Sequence, residues 1–249
     1  MPTNDKAIIV EHLSKHFGSF RAVDDISFEV TKGEIFGFLG ANGAGKTTAM
    51  KMLCGLSKPS SGKAIVAGDD VSKNPNRIKS NIGYMSQKFS LYEDLTVKEN
   101  IKLFGGIYGL KLKDIEQKTA VLLDRLGFAE EKNTLVKSLP LGWKQKLAFS
   151  VAVFHRPKIV FLDEPTGGVD PITRRNFWEM IYEAAEDNIT IFVTTHYMDE
   201  AEYCNRVSLM VDGKIVALDT PANLKRDFKS DNMEAVFYQV ARQAKRSDN

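Results

Sequence analysis

Two cysteines in 249 residues are too few for a disulfide framework. Cys54 and Cys204 read instead as small buried thiols in a reducing compartment. Long uncharged apolar runs are missing as well. Ile35–Gly45 and Ala148–Phe154 are the longest candidates, far below the ~18 residues that a membrane span needs. Met1–Lys6 has no charged-then-apolar leader pattern. These absences predict a soluble, cytoplasmic chain. An excess of one charge sign is also lacking: 34 Lys and Arg stand against 32 Asp and Glu, a net +2. Residues 225–249 hold six basic and four acidic side chains, so the first 224 sum to zero. A protein that grips nucleic acid through its phosphates carries a large basic surplus, so that class is disfavoured. His12, His16 and His155 have no ligand partners at metal spacing. Repeats and low-complexity tracts are absent.

What is present is ordinary for a globular protein, with 43% hydrophobic and 27% charged residues. The length suits one large domain or a domain with a subdomain, with a core that needs no metal or disulfide staple. Ile8–Leu13 and the alternating Ile26, Phe28 and Val30 have strand character, with a turn at Thr31–Gly33. Ile35–Leu39 is a compact apolar strand, followed by a glycine-rich loop and a helix over Lys46–Leu53. Ser57–Gly62 is a turn; Lys63–Ala67 and Ile82–Met85 are further strands. Thr96 and Glu99 form a capping box that opens a helical stretch to Leu126. Leu112, Ile115, Thr119, Leu122 and Leu126 form one apolar stripe in it. After Pro157 strands and helices alternate: strand Ile159–Leu162, helix Thr173–Ala185, strand Ile189–Thr194, helix Met198–Cys204, then a hairpin of Val207–Val211 and Ile215–Leu218. This order implies α/β architecture with a largely parallel sheet.

Gly40-Ala41-Asn42-Gly43-Ala44-Gly45-Lys46-Thr47-Thr48 fits the phosphate-loop pattern of Gly, four residues, Gly, Lys, then Ser or Thr. It sits between a strand and a helix, as the motif requires. The glycines let successive N–H groups turn inward on phosphate oxygens, and the helix dipole adds to them. Lys46 supplies a point charge, and the Thr47 hydroxyl reaches Mg²⁺. Ile159–Leu162 runs into Asp163 and Glu164. An apolar strand ending in a carboxylate places Asp163 beside the metal, and Glu164 is suited to orient or deprotonate water. His196 follows a strand end that faces the ligand crevice. Taken alone, such a His is more often structural. Gln87 follows another strand; it is either a surface residue or a group reaching Mg²⁺ and water.

Together these stretches resemble the ATP-binding-cassette (ABC) ATPase family from about Ile8 to Leu224, with bacterial ABC-2-type drug and polysaccharide exporters as the nearest flavour. The resemblance implies an ATPase with ATP and Mg²⁺ as cofactors. Its fold would be a P-loop NTPase with a mostly parallel core sheet, an antiparallel β subdomain and an inserted helical subdomain. The core would be 1–87 and 156–227, the helical part 88–155 and a helical tail 228–249. Residues 40–48 would bind ATP. Thr47, Gln87 and Asp163 would bind metal, Glu164 would be the catalytic base, and His196 the γ-phosphate sensor. Phe17 would stack on adenine, or else it is a core ring. Asp170 would belong to the loop that communicates across a dimer.

The family's signature, Leu-Ser-Gly-Gly-Gln or a near variant, is here Leu139-Pro140-Leu141-Gly142-Trp143. Pro140 brings neither a hydroxyl nor an N–H to a γ-phosphate. What remains is the N–H groups of Leu141 and Gly142 at a helix start. Either this variant works through backbone contacts, or it makes one site of a pair weaker. It is similar to the second cassette of some tandem exporters, so the chain is either half of a tandem protein or a single-cassette subunit. The implied partners are a second cassette, as homo- or heterodimer, and permease domains on another chain, with no nucleic acid. The implied place is peripheral, on the cytoplasmic face of the inner membrane. Leu91 and Tyr92, within Phe89–Leu95, are read either as the permease contact or as local packing. Val236, Phe237 and Val240 either pack the tail on its own domain or, with Lys245 and Arg246, meet a partner or membrane surface. A cassette ATPase acting on nucleic acid or the ribosome is the rival. It is disfavoured because no long coiled coil and no basic linker are present.

Overall fold

The computed structural model describes residues 5–88 and 90–247, with side chains to 243; Phe89 and the side chains of Lys245 and Arg246 lie outside it. The chain opens with two long strands, β1 (Lys6–Phe17) and β2 (Phe20–Thr31). In β2, Ile26, Phe28 and Val30 are buried between exposed neighbours, the alternation that a one-sided antiparallel sheet demands. β3 (Ile35–Gly40) is buried throughout and leads through the glycine loop into α1 (Lys46–Leu53). β4 (Ser61–Val66) and β5 (Asp69–Asp70) complete a four-stranded sheet in the order β2-β1-β4-β5, whose neighbouring strands pair antiparallel. Then come α2 (Pro75–Asn81) and β6 (Ile82–Met85).

Three helices follow. α3 (Val97–Ile107) is opened by Thr96, whose hydroxyl accepts from the Glu99 N–H while Glu99 receives the Thr96 N–H, the expected capping box. α4 (Leu112–Leu126) buries Ile115, Thr119 and Leu123, with Leu122 and Leu126 half-buried. Leu112 does not join the stripe: it is exposed in the first turn, and the buried face has rotated to include Leu123. α5 (Leu141–Val153) is buried on almost all sides in its second half.

β7 (Ile159–Asp163), α6 (Pro171–Glu186) and β8 (Thr190–Thr195) restore the alternation. The segment Met198–Tyr203 is a 3-10 helix rather than an α-helix. Its i→i+3 bonds, Glu200 N–H to Tyr197 O and Cys204 N–H to Ala201 O, stretch few residues across the gap to the next strand. β9 (Arg206–Val211) and β10 (Lys214–Asp219) form the hairpin, followed by α7 (Pro221–Asp227) and α8 (Met233–Ser247). The second sheet has the order β10-β9-β3-β8-β7-β6, parallel except for β10. Strands β3, β7 and β8 are covered on both faces, which is why they read as bare apolar runs. Their register sets Leu39 beside Thr195 and Asp163 beside Thr194, so three strand ends form one row.

Five phenylalanines weld the sheets together: Phe28 stacks on Phe36 at 5.5 Å, and Phe38 and Phe161 each lie 5.3 Å from Phe192. On the other face α5, α6 and α8 share a core, with Met233, Val236 and Val240 of α8 buried. The apolar side of the tail therefore packs on its own domain. Cys54 and Cys204 are buried free thiols, both pushed up in pKa, first by burial. No helix among the described residues is long and apolar enough to cross a membrane.

His155 stacks on Tyr108 at 3.7 Å, with Nε2 3.2 Å from the Ile82 carbonyl. Burial, countered by that carbonyl and aided by Lys118, lowers its pKa from 6.5 to about 4. The folded chain therefore resists a proton that the unfolded chain accepts. Stability is full above pH 6.5 and falls as pH drops toward 4. Melting curves across that window should show a shallower decline for His155→Gln than for the parent. Parallel declines would remove His155 as a cause.

Candidate functional site

The site stands on the row of strand ends. The glycine loop leaves β3 at Gly40 and returns at Gly45, whose φ of 104° lies in the left-handed region. A Cβ there would sit 2.2 Å from the Ala22 carbonyl oxygen, so glycine is required. The Ala44 carbonyl accepts from the Gly213 N–H at 3.0 Å, which braces the loop against the β9–β10 turn. Ala41, Asn42 and Gly43 form the exposed rim. Lys46 is only 4% exposed, and its Nζ donates to the Gly40 and Ala41 carbonyls at 2.9 and 3.2 Å. Its third neighbour is Glu164 Oε1 at 3.3 Å.

Two carboxylates then divide the surroundings. Asp163, 1% exposed at the end of β7, accepts at Oδ1 from the hydroxyls of Thr194 at 2.6 Å and Thr47 at 3.1 Å. Burial, and then the Asp163 charge, push the Tyr84 hydroxyl well above its ordinary pKa. Glu164 gathers the other groups. Its Oε2 receives Gln87 Nε2 at 2.9 Å and lies 3.0 Å from His196 Nδ1. Its backbone has φ 48°, unusual for a side-chain-bearing residue, and its N–H is held by the Thr194 carbonyl and hydroxyl, each at 3.1 Å. Lys46, Gln87 and His196, read from three separate stretches of sequence, thus meet at the carboxylate of Glu164, which lies in a fourth.

The donor set fits a hard cation. Thr47 and Asp163 oxygens face each other at the foot of the loop, the oxygen chemistry that Mg²⁺ takes when phosphates complete its shell. Gln87 uses its nitrogen on Glu164, leaving Oε1 without a hydrogen bond among the described residues. No cluster of three His, Cys, Asp or Glu suited to a metal occurs among the described residues.

The remaining expected residues lie apart. Phe17, at the end of β1, is 55% exposed, an open ring with Lys15 Nζ 5.1 Å from its centroid. Pro140 is the N-cap of α5, and its carbonyl receives the Trp143 and Lys144 N–H groups. The Leu141 and Gly142 N–H groups precede those first helical bonds. Leu139 is buried and Leu141 is exposed. The Trp143 ring turns inward and stacks on Phe128 at 4.6 Å. Asp170 caps α6: it accepts from the Ile172 and Thr173 N–H groups and the Thr173 hydroxyl, and that hydroxyl leads the bonds lowering its pKa. Leu91 is core, whereas Tyr92 is exposed beside Phe104.

Sequence reading missed Thr194, which binds both Asp163 and Glu164. A hydroxyl at the end of an otherwise apolar strand was its signal. It also missed Thr166 and Glu200. Glu200 is fully buried, and Thr166 donates its hydroxyl to it.

A family model described as ABC transporter matches residues 23–167. The chain is 45% identical over 241 residues to the "Probable multidrug ABC transporter ATP-binding protein YbhF" of Escherichia coli (strain K12), covering 95% of this chain and 42% of that protein. The "Linearmycin resistance ATP-binding protein LnrL" of Bacillus subtilis (strain 168) is 34% identical over 215 residues, covering 86% of this chain and 69% of that one. The chain thus spans less than half of the first relative and about two thirds of the second. Among solved structures, "Structure of ATP binding subunit of ABC transporter" aligns with a TM-score of 0.85 at 25% identity, covering 94% of this chain and 99% of that chain. The cbiO1 structure from Clostridium perfringens aligns with a TM-score of 0.80 at 26% identity, covering 97% of each.

Proposed function

The chain belongs to the ABC transporter family, and from that premise we propose that it is the ATP-binding and ATP-hydrolysing cassette of an exporter. One observation carries the reading: Glu164 sits where Lys46, Gln87 and His196 converge, beside a loop shaped for phosphates. Lys46 and the loop N–H groups hold the phosphates. Thr47, Asp163 and Gln87 hold Mg²⁺, which neutralises phosphate charge when bound. Glu164 takes the proton of the attacking water, Gln87 orients that water, and His196 contacts the γ-phosphate. Phe17 stacks on the base.

The loop and the start of α5 belong to opposite halves of a head-to-tail pair. ATP bound by one cassette is completed by the Leu141 and Gly142 N–H groups of a second, on the same polypeptide or another. Permease domains dock on the helical part, where Tyr92 and Ile107 expose more than half their surface. The cassette therefore works peripherally on the cytoplasmic face of the cell membrane. The names of the two relatives, multidrug and linearmycin resistance, support export over import.

With Mg²⁺ and ATP, a Glu164→Gln chain should shift in light scattering from 27.8 kDa to about twice that. A mass that stays monomeric overturns the pairing. Pro140 offers no hydroxyl or N–H, and one hydrogen bond to a charged group contributes roughly 1.5–3 kcal/mol. Adding Pro140→Ser with Leu141→Gly should therefore raise pairing affinity about tenfold or more. An unchanged dimer fraction would mean that the signature already works through its backbone alone.

A further inference from the structure

We propose that Arg174 is a positioning residue for His196, acting through the ring of Tyr197. The proposal rests on the hydrolytic reading above and adds a support that the reading does not contain.

Arg174 lies one turn into α6, just past the Asp170 cap. Its guanidinium carbon is 4.1 Å from the Tyr197 ring centroid, within the range of a cation–π contact. The Tyr197 centroid is in turn 4.1 Å from that of His196, with 35° between the rings. One aromatic ring therefore touches both the guanidinium and the imidazole. The Tyr197 N–H is pinned by the Thr195 hydroxyl at 3.0 Å. His196 itself is restrained by little else: its side chain is 31% exposed, and Glu164 Oε2 is its polar neighbour among the described residues.

The same guanidinium also faces two carboxylates. Nη1 donates to Asp199 Oδ2 at 3.4 Å, and Nε lies 3.7 Å from Glu200 Oε1. Glu200 is fully buried, its Oε2 makes no hydrogen bond within the described residues, and its Oε1 receives the Thr166 hydroxyl. Arg174 Nε makes no hydrogen bond among the described residues, so the charge pair alone links it to Glu200, and separating the two would strand a buried charge. Thr166 lies two residues after Glu164. Arg174 thus ties the loop behind the base, helix α6 and the segment behind His196 into one unit, and Tyr197 passes that fixity to the imidazole. Small misplacements at a reacting centre cost rate more than binding.

Steady-state kinetics on the full chain test this, with melting temperature recorded for each variant. Arg174→Lys keeps a cation for Glu200 but loses the flat face. It should lower kcat about tenfold with KM for ATP changed less than about twofold, at a near-parental melting temperature. Tyr197→Ala should show the same split, and Tyr197→Phe should restore kcat because the ring alone is used. In histidine-labelled protein, the His196 ring signal, assigned by its loss in His196→Ala, should move in Arg174→Lys and Tyr197→Ala, while those of His12 and His16 stay. Parental kcat in Arg174→Lys, or an unmoved His196 signal, overturns the proposal and leaves Arg174 a charge partner only. A parent chain that cleaves no ATP overturns the hydrolytic reading, and this proposal with it.

Discussion

Glu164→Gln is expected to lower ATP turnover by about a hundredfold or more while ATP affinity stays within a few-fold. The amide keeps the size of the carboxylate, so Gln87 and His196 retain a neighbour of the same shape. It cannot take a proton from water, and a general base contributes roughly 10²–10⁴ in rate. Binding rests on other groups: the loop N–H groups, Lys46 with its two carbonyl partners, and Thr47 with Asp163. Single-turnover hydrolysis beside equilibrium binding separates the two quantities. Turnover within tenfold of the parent would remove Glu164 as the base and move attention to His196.

Gly45→Ala has the second large effect, and it falls on binding. The new Cβ meets the Ala22 carbonyl oxygen at 2.2 Å and the Met210 methyl at 2.9 Å, at a φ of 104°. A carbonyl in β2 cannot yield, so the loop must move and its N–H groups lose their aim. ATP affinity should fall by about a hundredfold, on the scale of two or more lost hydrogen bonds to charged oxygens. Melting temperature should be recorded beside affinity, because Met210, which the new Cβ also meets, belongs to a core cluster. Gly43→Ala is the internal control. Its φ of 84° is also left-handed, but an added Cβ there meets nothing within 4 Å. It should cost clearly less affinity by calorimetry. Equal losses for the two would mean that strain, not the Ala22 contact, governs the loop.

The site was largely legible because its chemistry is local. Nine consecutive residues make the loop, Asp163 and Glu164 are adjacent, and His196 closes a strand whose apolar run is plain to read. The parallel sheet followed from alternation, and its register then brought those strand ends together. What escaped depends on partners distant in sequence. Thr194 serves Asp163 across 31 residues and Thr166 serves Glu200 across 34, and nothing local in the sequence names the acid that either hydroxyl meets. The stripe of α4 holds for Ile115, Thr119, Leu122 and Leu126, but Leu112 sits in an exposed first turn and Leu123 joins the buried face in its place. The 3-10 geometry at Met198–Tyr203 reflects the span between two strand ends, which no residue type encodes.

The positive φ of Glu164 sets two kinds of selection against each other. An L-residue held in the left-handed region forgoes about 1–3 kcal/mol that glycine would not. The two hydrogen bonds from its N–H to Thr194 keep it there. Breeding this chain for endurance to heat alone would therefore favour glycine or asparagine at position 164, and such a lineage would outlast its ancestor while losing the carboxylate proposed here as the base. Durability is a poor guide to fitness at this one residue, because part of the chain's stability has been given up to aim a carboxylate.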